Sequence, residues 1–325
     1  FGNLIWGQSL GEALPNHRFY ENQGIKTEGS LFAKVNQVVI GPLSGFIDFQ
    51  LRSINYEVSG EIAGPSSFSV NDNFLFFNPK AGLTYTISNR QKLYASYAKA
   101  HREPNRTDYE NGNPKPEKLD DFELGWRIKT AKMQAQANLY WMEYKDQLVL
   151  TGAIDEVGAP IRQNVGKSRR VGLELEFKMK LLPNWVWQPN LALSSNQNLD
   201  FIFERDGELV DLGKTQLAYS PNLISGSSLT YAASTNFQIT LLSKFVGKQY
   251  MGNIDSENSI LPSYFINDLN ISYVWRPKKL LKEIQFSFLI NNLLNKQYES
   301  NGYFYTYNDT WSVPGKITTI EGAGF

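Results

Sequence analysis

Residues 171–181 read VGLELEFKMKL, with Leu173, Leu175, Phe177, Met179 and Leu181 on one parity and Glu174, Glu176, Lys178 and Lys180 on the other. Successive side chains of a strand point to opposite faces, so an extended segment here has one apolar face and one charged face. The alternation returns in 47–51 (IDFQL), 122–128 (FELGWRI), 133–141 (MQAQANLYW), 237–241 (FQITL), 269–275 (LNISYVW) and 284–290 (IQFSFLI). Period 2 fits these stretches better than period 3.6, which predicts about a dozen strands and no amphipathic helix. At most, residues 277–284 (PKKLLKEI) make one short helical turn.

The joins between these segments alternate in length. Short turns fall at 41–45 (GPLSG), 88–90, 130–132, 183–184 and 234–236, and long polar loops near 62–73, 104–118, 152–160, 204–219, 252–262 and 302–315. Short, long, short, long is the order of an up-and-down antiparallel sheet whose two ends meet different environments. Segments 132–151 and 161–182 can run well past the roughly 5–6 residues usual in soluble sheets. Trp185 and Trp187 follow one turn, Trp275 precedes another, and Trp141 with Tyr144 lies about ten residues above a third. Two such levels suit a girdle of aromatics at the two headgroup layers of a membrane.

Composition narrows the choice. Of 325 residues, 32 are Lys or Arg and 32 Asp or Glu, so no net charge invites nucleic acid. With no cysteine there are no disulfides, thiolate nucleophiles or thiolate metal sites. No apolar run is long enough for a membrane-spanning helix, but a β-barrel crosses on alternating strands and keeps a low mean hydropathy, here -0.36. The start, FGNLIWGQSLGE, lacks the features of a signal peptide, so an exported form is expected to begin elsewhere. A soluble all-β sandwich or propeller accounts for any one amphipathic strand; a dozen in series, each with Gln, Asn, Glu, Lys or Arg on its other face, favour a transmembrane barrel with a wet or plugged lumen.

Four stretches resemble the C-terminal part of the barrel of TonB-dependent outer-membrane receptors. They are NPKAGLTYTISNRQKLYASY from Asn78, continued by AHREPN; PEKLDDFELG from Pro116; NVGKSRRVGLELE from Asn164; and FSFLINNLLNKQY from Phe286, similar to the penultimate-strand signature. The resemblance implies a barrel of about 22 strands filled by an N-terminal plug that carries a TonB-contacting segment. On that count residues 1–325 are a partial barrel domain of about 12 strands, with the plug and the final strand absent and residues 1–27 contributing an extracellular loop. Residues 321–324 (EGAG) show no alternation of the kind a closing strand needs.

The resemblance further implies active uptake of a scarce, large solute across the bacterial outer membrane, energised through TonB, with a ferric siderophore or similar iron complex as the favoured cargo. Vitamin B12, haem or oligosaccharide uptake by the same mechanism, and a passive porin-like channel, remain open. No enzyme is expected: the sequence holds no GxSxG, HExxH or P-loop, and two histidines without cysteine offer little for catalysis, a bound cofactor or zinc. Ligand contacts are expected on the long loops. Tyr303, Tyr305, Tyr307 and Trp311 crowd GYFYTYNDTW, where aromatics suit a planar or catecholate ligand or pack against other loops. Arg102, Arg106 and Tyr109 lie in HREPNRTDY, where guanidinium forks suit an anionic chelate, lipopolysaccharide headgroups or a salt bridge to Glu103. His17 and His101 raise haem capture, which their place at loop edges does not favour.

Overall fold

A computed structural model of the chain describes residues 21–61, 67–110, 112–154, 160–205, 208–277, 281–309, 312 and 318–324. The elements are β1 (Asn22–Ile40), β2 (Leu43–Glu61), β3 (Ser67–Ser88), β4 (Gln91–Arg102), the short helix α1 (Arg106–Glu110), β5 (Glu117–Lys129), β6 (Met133–Ile154), β7 (Pro160–Leu182), β8 (Trp185–Arg205), β9 (Glu208–Gln216), β10 (Leu223–Ala232) and β11 (Phe237–Val246). They continue with β12 (Gln249–Tyr250), β13 (Ile260–Leu261), β14 (Tyr264–Trp275), β15 (Ile284–Ile290), β16 (Tyr303–Asp309) and β17 (Thr318–Gly324). One antiparallel sheet runs in the order β1-β2-β3-β4-β5-β6-β7-β8-β10-β11-β14-β15, with β9 paired to β8 beside this path. The short turns stand together at one end of it and the long connections at the other.

Register shows what each face carries. Leu124 pairs with Leu139, Leu139 with Leu173, Leu173 with Leu193 and Leu193 with Leu223, a single row of leucines across five strands. Leu124, Leu139 and Leu193 are between 43% and 53% exposed, and Phe49, Phe77, Phe122, Phe286 and Phe288 on the same outer face are similarly open. No described sheet or helix covers this band. An apolar patch of such extent is not tolerated in water, so hydrocarbon is its solvent. The opposite face carries Glu123, Arg127, Gln136, Asn138, Glu174, Glu176 and Asn190 by the same register.

The inner face has low relief where it is aromatic. A side chain at Gly125 would collide with the ring of Tyr94, and one at Gly172 with the ring of Tyr140. Each tyrosine therefore lies flat on the neighbouring strand's backbone, which glycine alone permits.

Several loop expectations are corrected by this fold. Residues 67–73 form the start of β3, residues 204–219 hold the β8–β9 hairpin, and residues 22–27 begin β1 rather than a loop. These segments stand beyond the apolar band, where backbone pairing alone makes a strand and no lipid demands an alternating side. The residues 302–311 taken as one exposed loop are largely β16, paired with β17, so 321–324 is a strand although its composition hides the fact. Tyr144 is no partner of Trp141 in a girdle: three residues apart on one strand they face opposite ways, and Tyr144 stacks under Arg170 on the inner side. Trp185, packed at 4.8 Å on Tyr231, does lie in the belt near the short turns.

Candidate functional site

The long-connection end closes over itself through polar contacts. In the β4–β5 connection, Glu103 accepts a hydrogen bond of 2.6 Å from Lys26 and a weaker one of 3.4 Å from Arg52, while Glu28 takes Arg52 at 2.8 Å. The latch joins β1 and β2 to the loop beyond β4. Burial pushes the Glu103 carboxyl up, but the Lys26 hydrogen bond and the two positive charges outweigh it and hold the group below the usual carboxylate range.

Beyond that latch, Asn105 and Asp108 hold α1: the Asp108 carboxylate accepts from the Asn105 N–H at 2.8 Å and the Asn105 side chain from the Asp108 N–H at 3.1 Å. A cavity of about 510 Å³ opens beside it, lined among others by Asp108, Lys115, Asp146, Arg162, Asn164 and Asp200. Arg162 stands 3.9 Å from Asp108, and its side chain is 42% exposed. Nothing in the local sequence marks Arg162, and although Asn164 opens one of the family-like stretches, only the fold shows that it holds the Lys115 backbone of the β4–β5 connection, at 2.7 and 2.9 Å. A second cavity, about 600 Å³, lies near the short-turn end on the inner face, lined by Lys92, Arg127, Gln136, Glu176 and Lys178.

The candidate contacts separate. Arg102 donates to Glu117 at 2.7 Å with just over half its side chain exposed, and Arg106 donates to Asn22 at 3.0 Å. Neither pairs with Glu103. The Tyr109 ring is buried, stacked 5.9 Å from Tyr56, and its hydroxyl donates to Asp72 at 2.5 Å. Burial first, and then that bond, push its phenol well above the ordinary tyrosine value. Its evident work is to fix α1 against β2 and β3.

On the hairpin, Tyr303 and Tyr305 stack at 6.3 Å with rings 13° apart, and Tyr303 is 62% exposed. Each lies across a glycine of the opposite strand, Tyr303 over Gly324 and Tyr305 over Gly322. Phe304, on the other side of β16, is buried with Met251 and Leu261 and anchors the hairpin to the β11–β14 connection. Tyr307 lies on β16 opposite Ile320, and Trp311 lies outside the described residues. His101 stacks on Phe76 with centroids 5.1 Å apart, and its Nδ1 is 2.8 Å from Asn78 Oδ1. His17 lies outside the described residues.

A wall of long antiparallel strands, apolar outside and polar inside, with turns at one end and elaborated loops at the other, is the architecture of an outer-membrane β-barrel. Residues 9–293 match the family model described as TonB dependent receptor-like, beta-barrel, and the chain belongs to that family. The pesticin receptor of Yersinia enterocolitica is 27% identical over 190 residues, spanning 58% of this chain and 26% of that receptor. Among solved structures, the siderophore receptor PiuA from Acinetobacter baumannii superposes with a TM-score of 0.70 at 18% identity, over 85% of this chain and 40% of that one. The ferric yersiniabactin uptake receptor FyuA from Yersinia pestis does so with 0.64 at 19%, over 96% and 46%. The chain thus spans about a quarter of the length of the curated relative, and less than half of either solved chain. These relatives are receptors, not enzymes, and the family resides in the outer membrane of Gram-negative bacteria.

Proposed function

We propose that this protein is the barrel part of an active-uptake receptor for a ferric siderophore or similar iron complex, energised through TonB by way of a plug outside these 325 residues. Family membership over residues 9–293 carries the reading, and the likeness to the siderophore receptor PiuA and the ferric yersiniabactin uptake receptor FyuA favours iron complexes as cargo. Ligand contact falls to the Tyr303–Tyr305 stack, with Tyr307 and Trp311 further along the segment, and to the Arg102 and Arg162 forks at the same end of the wall. Flat aromatic faces suit catecholate or other planar chelators, and guanidinium suits their negative charge. Arg106 and Tyr109 serve the loop that presents these groups.

The test is uptake of a labelled ferric siderophore by iron-starved cells with and without TonB. Uptake that needs both proteins supports the reading. Steady ion conductance in planar bilayers together with TonB-independent permeation would replace it with a passive channel. Within the first outcome, Tyr303→Ala and Tyr305→Ala each weaken binding several-fold, about 0.5–1.5 kcal/mol of lost stacking per ring.

A further inference from the structure

The inner face is not uniform in charge along its length. Near the short turns, Lys92 pairs in register with Arg127, Arg127 with Gln136 and Gln136 with Glu176; one row nearer the turns, Lys129 pairs with Gln134 and Gln134 with Lys178. With Arg90 of the adjoining turn these side chains line the cavity of about 600 Å³, five cations against one carboxylate. Glu174 and Glu123 stand one and two rows deeper, so the positive field is confined to the mouth.

These cations are not neutralised by the wall itself. Lys92, Arg127, Lys129 and Lys178 are exposed, and no ion pair to any of them is present among the described residues. Arg127 rests over the Tyr94 ring, 4.9 Å from its centroid, which positions the guanidinium and leaves its charge in place. Like charges directly opposite on neighbouring strands are destabilising, and Lys92 faces Arg127 across one rung. The surplus calls for an anion.

Size and place say which anion. A space of about 600 Å³ lies within the range of small-molecule sites, about 300–1,000 Å³, and is too small for a folded partner. Lys129 stands twelve residues along β5 from Glu117, the partner of Arg102, so at about 3.3 Å per residue the cavity lies roughly 40 Å from the capture end. In an outer-membrane barrel the short turns face the periplasm, and a solute carried through the lumen leaves past this basin. We propose that Lys92, Arg127, Lys129 and Lys178 form an exit subsite that binds a compact polyanionic chelate at the periplasmic mouth. The identity of the anion rests on the uptake reading and the basin on register and charge, so the two can fail separately.

The experiment titrates full-length receptor, purified in detergent with both mouths open, with a ferric tricatecholate, and repeats the binding on intact de-energised cells, where only the outer mouth is reached. The variants are Lys92→Gln/Arg127→Gln/Lys129→Gln/Lys178→Gln and the charge-keeping Lys92→Arg/Arg127→Lys/Lys129→Arg/Lys178→Arg. Lys145→Gln, on the parity of Leu139 near the other end of β6, is the outer-face control, and heat-modifiable gel mobility reports the folded barrel. Expected are two equivalents on the purified wild-type receptor and one on cells. The weaker equivalent is lost in the glutamine set and in about 1 M salt, where the Debye length is about 3 Å, and persists in the charge-keeping set and in Lys145→Gln. Energised uptake by the glutamine set is several-fold slower, with capture on cells unchanged. A wild-type receptor that shows only the salt-sensitive equivalent supports the basin while overturning the cargo reading. A wild-type receptor with no salt-sensitive equivalent, as when an acidic stretch of the plug fills the cavity, would overturn the proposal. So would a second equivalent that survives the glutamine set, or one displaced in full by equimolar inorganic phosphate, which would make the basin a free-phosphate site.

Discussion

The two halves of the wall are built by different rules. In the half nearer the short turns, register is unbroken over the membrane-crossing rows; shifts at that end are confined to the turns themselves, as at Val38/Ile40, Thr86/Ser88 and Lys180/Leu182. In the loop-bearing half register slips within the strands, at Leu150/Ile154 and twice between Asn198 and Ile202. The first half buries almost nothing in protein and exposes its leucines. The second builds a small water-excluding core of Val149, Val165, Phe201 and Leu217 and locks it with polar side chains. Asn253 alone takes hydrogen bonds from Ala218 N–H at 2.9 Å and Asn198 at 3.3 Å and gives one of 2.6 Å to the Leu150 carbonyl. Solvent shapes one half, and specific partners shape the other.

That contrast is open to attack from both sides. Phe201→Ala should cost about 3–5 kcal/mol of the upper core, read as rapid proteolysis of the loops with heat-modifiable mobility retained; if the whole barrel fails to assemble, the halves are not independent. Leu139→Arg should do the reverse, costing about 2–4 kcal/mol of membrane assembly in a denaturant titration into lipid, with no gain in loop cleavage when folded. Folding that survives Leu139→Arg unchanged without detergent would contradict the lipid-facing assignment. Asn253→Ala leaves the Ala218 N–H and the Leu150 carbonyl unpaired and should cost about 1–3 kcal/mol, seen as faster amide exchange at residues 216–218 and 150.

The smallest effect concerns the Glu103 latch. Because its folded carboxyl sits below the ordinary value of about 4.5, the stability it adds is complete above that pH and is lost as pH falls through the lowered value. Cleavage of the β4–β5 connection should therefore rise on acidification, and Glu103→Gln should show the same rise already at neutral pH. A flat pH profile in the native protein would remove the latch from the account.

Much of the first half can be read from the chain. Leu173, Leu175 and Phe177 announce their strand because hydrocarbon accepts no polar side chain on alternate positions, and the period survives averaging along the sequence. β9 and β16 hide, since outside the membrane a strand needs only backbone partners and both its faces can be polar or aromatic. Side assignment also failed where spacing was ignored, as for Trp141 and Tyr144. Arg162 belongs to another class: it is unremarkable in its own segment, and only the fold sets it beside Asp108. Arg102, Arg106 and Tyr109 are neighbours in the chain, yet they part in the fold, each to a partner on a different strand, Glu117, Asn22 and Asp72, that local sequence does not name.

The tyrosines laid flat over Gly125 and Gly172 matter beyond their own strands. Bulky groups that recline against the backbone leave this stretch of the inner face shallow, with neither ring standing out from it. A plug of the kind proposed would meet shallow polar contacts there and no interlocking with the wall.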